Sequence, residues 1–119
     1  MRSEQEPADR VVPDREEYVE RVLRVVEAIP TGRVMSYGAI AEVVGAGGPR
    51  QVGRVMALEG GGVPWWRVVR ADGGLPLCHD GEALERHRAE GTPLRPTGRV
   101  DMAAAAWWPP EDSGPVGPL

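Results

Sequence analysis

The sequence predicts a mainly α domain with a small β wing, folded as a single winged helix-turn-helix. Three observations predict it. An amphipathic helical repeat follows Asp14, two short helices are joined by a glycine-rich turn at Gly45 to Gly48, and an apolar, partly β-branched run from Val63 to Val69 is closed by Asp72-Gly73-Gly74.

In the first helix Val19, Val22, Leu23 and Val26 recur at i, i+3, i+4 and i+7, with Arg15, Glu16, Glu20, Arg21 and Arg24 on the opposite side. Asp14 supplies its N-cap, and Ile29-Pro30 marks its end. Thr31-Gly32 is then a turn and Arg33-Val34-Met35 a short extended piece. Ser36 caps a second helix, Tyr37 to Val44, which Gly45 closes. Pro49 opens a third that runs to Glu59, before Gly60-Gly61-Gly62.

The third helix has two faces. Val52, Val55 and Met56 form a buried stripe, while Arg50, Gly53, Arg54 and Ala57 form the other. Small side chains between the arginines would let the backbone approach a groove or a phosphate closely; a plain solvated face with two arginines fits this segment equally well. The run Val63 to Val69 reads as a strand, with Trp65 and Trp66 on opposite faces, and Leu75-Pro76-Leu77 completes a hairpin or wing. A last helix spans Gly81 to Glu90, with Ala83, Leu84 and His87 on one side and Gly91 at its end. Thr92 to Met102 adds an extended piece.

The domain is therefore expected over residues 14–102, after a disordered polar lead-in at 1–13 and before a disordered, proline- and glycine-rich tail at 103–119. Tandem tryptophans are costly in solvent, so Trp107 or Trp108 is expected to dock on the body or on a partner.

Composition narrows the functional classes. Net charge is −4, which argues against a protein that coats nucleic acid without selectivity. Yet between Pro30 and Arg99 there are nine arginines against seven acids, so the core has a small basic surplus. All 14 basic side chains are arginine, hence any cationic contact with a phosphate or base is made by a planar, multi-donor guanidinium rather than by an ammonium. One cysteine, Cys78, excludes an internal disulfide, and two histidines make a structural zinc site improbable. There is no apolar leader and no stretch of membrane-spanning length, so a cytoplasmic protein with no membrane partner is expected.

Catalytic groups are scarce. No paired carboxylates, phosphate loop or metal cluster is present, and no cofactor or metal is expected. Cys78-His79 are neighbours in a loop, which does not give them a shared catalytic geometry.

What stands out is the order Pro30-Thr31-Gly32-Arg33-Val34-Met35-Ser36-Tyr37-Gly38, then Arg50-Gln51-Val52-Gly53, then Pro64-Trp65-Trp66-Arg67-Val68-Val69. From about Asp14 to Leu94 the chain closely resembles the C-terminal DNA-binding domain of the O6-alkylguanine-DNA alkyltransferases. The family's reactive motif is Pro-Cys-His-Arg, in which the cysteine takes the alkyl group and a glutamate-held histidine activates it. Here Trp65 stands at the nucleophile's place and Trp66 at the histidine's, while Glu90-Gly91 matches the glutamate-glycine of the last helix. This pattern is similar to the alkyltransferase-like proteins, non-catalytic relatives that bind alkylated DNA.

The resemblance implies roles residue by residue. Tyr37 would push on the 3′ phosphate of the target nucleotide and turn it outward, and Arg50 would enter the stack and fill the gap. Ser36, Gln51, Gly53, Arg54, Arg67 and Arg70 complete the implied DNA-binding set. The lesion pocket would comprise Tyr37, Trp65, Val69, His79, Asp80 and Gly81. The third helix would dock in the minor groove, where physics favours the major groove for a helix-turn-helix. The chain departs from the enzymes in a glycine-rich turn that lacks their asparagine, and in a slightly shorter loop from Leu75 to Gly81.

The implied partners are double-stranded DNA containing alkylated guanine and the nucleotide-excision repair proteins that would receive it, with the chain acting as a monomer. Two rivals remain at this stage. One is a sequence-specific winged-helix regulator; the other is a true transferase using Cys78.

Overall fold

The computed structural model describes residues 14–76 and 81–110. Helix α1 (Arg15–Ala28) starts where Asp14 Oδ1 accepts the Glu17 N–H at 2.9 Å, and it ends at Ile29, before Pro30. Strand β1 (Met35–Ser36) leads into α2 (Tyr37–Val44). Ser36 belongs to both, since its Oγ caps α2 by accepting from the Ala39 N–H at 3.0 Å. Gly45 closes α2 at φ +83°, and α3 (Pro49–Glu59) follows with proline at its first position. Helices α2 and α3 pack together as the expected helix-turn-helix.

Periodicity places the core. Tyr18, Val22 and Val26 of α1 meet Ile40 and Ala41 of α2 and Val52 and Val55 of α3 in one buried cluster. Each fully buried valine or isoleucine contributes about 1.5 to 3 kcal/mol, so this cluster is what holds the three helices in place. Tyr18 also reaches the turn between α2 and α3: its hydroxyl donates to the Ala46 carbonyl at 3.2 Å.

The expected strand from Val63 to Val69 does not form as a whole. Gly60–Gly62 and Trp65–Arg67 are 3-10 turns, and β2 is limited to Val68–Val69. Pro64 has no N–H to give to a ladder, while the Trp65 N–H turns back to the Val63 carbonyl and the Arg67 N–H to that of Pro64. Both bonds are local, so the segment coils. Trp65 and Trp66 thus do not alternate across a sheet.

The wing also differs from a hairpin. β2 pairs in parallel with β1, Met35 opposite Val68 and Ser36 opposite Val69. The predicted turn is nevertheless present, closed by the Gly73 N–H on the Arg70 carbonyl and the Arg70 N–H on the Gly74 carbonyl, both 2.9 Å. Gly73 adopts φ +86°, and behind it the Val100 N–H bonds to its carbonyl.

Helix α4 (Glu82–Glu90) ends at Gly91, and the extended piece expected over Thr92 to Met102 is reduced to a single antiparallel Leu94–Val100 bridge, because the Gly98 N–H turns back to the Arg95 carbonyl and Met102 already begins a helix. The packed body continues past residue 102. Short helix α5 (Met102–Ala105) buries Ala105 with Val34, Val69 and Val100, and the Trp107 N–H bonds to the Val34 carbonyl at 2.8 Å. Of the tandem pair, Trp107 packs against the main core, while Trp108 is 51% exposed. Residues 1–13 and 111–119 lie outside the described residues. Among those described, no helix is long and apolar enough to cross a membrane.

Candidate nucleic-acid interface

Parallel pairing has a direct consequence for the surface: both short strands run out at the same edge. β1 delivers Ser36 and Tyr37 there, and β2 delivers Arg70. The first turns of α3 close the third side with Pro49, Arg50 and Gly53, leaving an open groove of about 550 Å³.

The Tyr37 ring lies along this groove against Gly53. A Cβ added at Gly53 would sit 4.0 Å from two ring carbons, ordinary van der Waals contact, so the glycine leaves a shallow step beside the tyrosine. Arg50, second residue of α3, is exposed at the helix N-terminus. There the helix dipole and the guanidinium favour the same anionic ligand. Arg70 faces them across the groove, and among the described residues the lining includes no acid.

At the other end of β2, the Trp65–Arg67 turn is fastened to α4. Glu90 accepts the Trp66 indole N–H at 2.8 Å, the Gly32 N–H at 3.0 Å and the Arg67 guanidinium at 2.6 Å. Burial on its own would raise the Glu90 carboxyl; these hydrogen bonds and the charge of Arg67 outweigh it and hold it below the usual glutamate value. Trp66 meets Trp65 edge to face, ring centroids 5.6 Å apart. His87, fully buried, bonds to the Trp66 carbonyl through Nε2 and to Thr92 Oγ1 through Nδ1. Because a carbonyl only accepts, Nε2 carries the proton and Nδ1 accepts from the threonine. Burial lowers the pKa of this ring, which is neutral near pH 7.

The model of the 6-O-methylguanine DNA methyltransferase DNA-binding domain family matches residues 17–91. The chain belongs to that family. It is similar to the DNA base-flipping protein of Escherichia coli strain K12, 34% identical over 112 residues that cover 88% of this chain and 85% of the relative. A DNA base-flipping protein of Vibrio parahaemolyticus is 31% identical over 101 residues, covering 79% of this chain and 99% of that one. Among solved structures, S. pombe Atl1 in complex with damaged DNA containing O6-carboxymethylguanine matches with a TM-score of 0.69 and 28% identity, over 79% of this chain and 97% of that one. A second complex, of S. pombe ATL with DNA, gives a TM-score of 0.68. The fold is that of these alkyltransferase-like proteins.

Within this methyltransferase-family domain the structure sorts the residues singled out from sequence. Ser36, Tyr37, Arg50, Gly53 and Arg70 share the groove, and Arg54 is exposed one helical turn beyond Arg50. Gln51 is exposed, but its Oε1 accepts the Gly48 N–H at 2.9 Å and so caps α3.

Two expectations need correction. Arg67 is turned inward, its side chain 14% exposed, with Nη1 on the Ile29 carbonyl and Nη2 on Thr31 and Glu90. Those bonds use the donors that a phosphate would need, so Arg67 holds the fold. Val69 is 0% exposed and packs with Val34, Val100 and Ala105, which leaves it no surface with which to line a pocket.

Of the remaining pocket residues, Trp65 is half-buried in the 3-10 turn and does not line the groove. His79, Asp80 and also Cys78 lie outside the described residues. Gly81 is exposed at φ +88° at the start of α4. Sequence reasoning missed Pro49 as a groove wall and Arg86 as a contact of Trp66, although the four-residue spacing of Arg86 and Glu90 on one helix was visible. Among the described residues no group of His, Cys, Asp and Glu comes together to hold a metal ion.

Proposed function

We propose that this protein binds duplex DNA containing an O6-alkylated guanine, turns that nucleotide out of the stack and holds it without transferring the alkyl group. The observation that carries the reading is the convergence of Tyr37, Arg50, Gly53 and Arg70 on one acid-free groove at the N-terminus of α3. Extruding a nucleotide costs a few kcal/mol of pairing and stacking. A guanidinium placed in the vacated gap recovers part of this, and an aromatic wall recovers about 1 to 3 kcal/mol per stacked base. Arg50 supplies the first at the groove, and Trp65, which stands outside the groove's lining, supplies the second once the base has left the stack, with Tyr37 pressing on the backbone from the step beside Gly53. Arg54 and Arg70 hold flanking phosphates.

The absence of alkyl transfer follows from chemistry. An indole at position 65 offers no thiolate to attack an alkyl carbon. Trp66 has a donor and no basic lone pair, and its N–H is committed to Glu90, so no proton is drawn from a nucleophile. The base-flipping names of the bacterial relatives and the damaged DNA held by Atl1 support the same reading. In this proposal the protein works as a cytoplasmic monomer, and its product is a marked lesion that nucleotide-excision repair proteins take over.

The experiment is a fluorescence titration of short duplexes carrying guanine or O6-methylguanine at one position, repeated with Arg50→Ala, with the DNA assayed for lost methyl. Tighter binding to the lesion, weakened by the substitution and without methyl loss, is the expected result. Equal affinity for both duplexes would favour a sequence-reading regulator, and methyl removal would favour an enzyme.

A further inference from the structure

Residue 66 is gripped by one helix from three directions. The Arg86 guanidinium lies over the ring face, its Cζ 4.3 Å from the centroid. Glu90 takes the indole N–H at 2.8 Å, and His87 donates to the backbone carbonyl at 2.6 Å. Arg86 is itself steadied by Glu82 one turn back, through bonds of 3.1 and 2.9 Å to one carboxylate oxygen. The Arg67 guanidinium adds a longer contact, 5.4 Å from the same ring.

Such a grip matters because, among the described residues, the Trp65–Arg67 turn lies outside the β1–β2 ladder and is held by its contacts with α4. Trp66 passes this hold on. Its ring meets that of Trp65 at 88°, and an edge-to-face pair keeps its favourable electrostatics only while both planes hold their angle.

We propose that Arg86 is a positioning residue of the lesion pocket, acting through Trp66 to hold the Trp65 ring at the angle at which it receives the turned-out base. This deepens the function proposed above and rests on it. Arg86 touches no DNA in this role. Its effect is confined to the contrast between altered and ordinary guanine, whereas a phosphate-binding arginine changes affinity for both.

The test compares Arg86→Ala, Arg86→Lys and Arg88→Ala, the last removing an exposed arginine of the same helix as a charge control. Each is titrated against O6-methylguanine and unmodified duplexes, and near-ultraviolet circular dichroism reads the asymmetric setting of the paired indoles. Arg86→Ala should lower the preference for the lesion about two- to fivefold and weaken the tryptophan dichroism, with affinity for the unmodified duplex no lower than in Arg88→Ala. Arg86→Lys, which keeps a cation over the ring, should restore most of both signals. Altered dichroism with an unchanged preference would overturn the positioning role, and unchanged dichroism would overturn the grip itself. If the unsubstituted protein shows no preference, the lesion reading fails first, and the dichroism still reports whether Arg86 sets the rings.

Discussion

The Trp66 indole N–H and the Glu90 carboxylate are joined by a hydrogen bond of 2.8 Å, and the same carboxylate carries the ion pair with Arg67. Glu90 thereby ties α4 to the Trp65–Arg67 turn and, through Gly32, to the turn after α1. Its side chain and that of Arg67 are 12% and 14% exposed, so neither charge is fully hydrated. Replacing Glu90 by glutamine leaves Arg67 short of a counter-charge in a dry setting. Glu90→Gln is expected to cost about 2 to 4 kcal/mol in urea unfolding, near the lower end for a broken buried pair. The exposed pair Glu17–Arg21 provides the contrast, and Glu17→Gln should change stability by less than about 0.5 kcal/mol. Similar losses for the two would show that Glu90 is no junction.

Gly53 separates stability from binding. In the middle of α3 an alanine is favoured over glycine by about 0.5 to 1 kcal/mol. The added Cβ meets the Tyr37 ring at 4.0 Å without a clash. Gly53→Ala should therefore raise the melting temperature. The same methyl fills the step beside Tyr37 where a backbone would approach, so affinity for O6-methylguanine duplexes should fall several-fold. A more stable variant that binds DNA unchanged would show that Gly53 is not part of the interface.

Glycines at positive φ are not equivalent. Gly45 and Gly73 adopt φ +83° and +86°, but a Cβ at Gly45 meets nothing within 4 Å, whereas at Gly73 it would run into the Val100 carbonyl. Gly45→Ala should cost about 1 to 2 kcal/mol, the left-handed penalty by itself. Gly73→Ala should cost clearly more, because a backbone atom cannot step aside, and it should also shift the neighbouring Arg70 and weaken DNA binding. Equal costs, measured by urea unfolding, would mean that the 94–100 segment yields easily.

How much of this was readable from sequence depended on whether the deciding interaction was local. Asp14 and Ser36 announce helix starts through bonds to their own neighbours, Pro49 through its fixed φ, and Gly45 and Gly91 helix ends through their left-handed backbone, and α1 to α4 fall where those signals put them. The run after Gly62 misled because its composition suits a strand, while Pro64 and the bonds back from Trp65 and Arg67 coil it. Tyr37, Arg50, Gly53 and Arg70 do meet in one groove. The inward turn of Arg67 and the burial of Val69 were hidden, since both depend on distant partners: Glu90 and Thr31 for the first, Val34, Val100 and Ala105 for the second. Nothing near Arg67 or Val69 in the chain signals which way they face.

Acid should act first through His87. Its ring is buried neutral, and burial pulls its pKa below the ordinary 6.5. The unfolded chain therefore takes up a proton at a higher pH than the folded one does. Stability from this site is complete above about pH 6.5 and drains away as pH falls toward the lowered folded value, with a slope of at most about 1.4 kcal/mol per pH unit. Glu90 also has a lowered pKa, but its contribution is present above its ordinary 4.5 and is lost only in the more acidic range. The Glu90 loss thus begins at a lower pH than the His87 loss. Urea midpoints should hold between about pH 7.5 and 6.5 and fall from there to about pH 5 in the unsubstituted protein, and His87→Gln, less stable at neutral pH, should show a flatter profile over that range. An equally steep fall in the variant would move the acid-sensitive group away from the His87–Thr92–Trp66 junction.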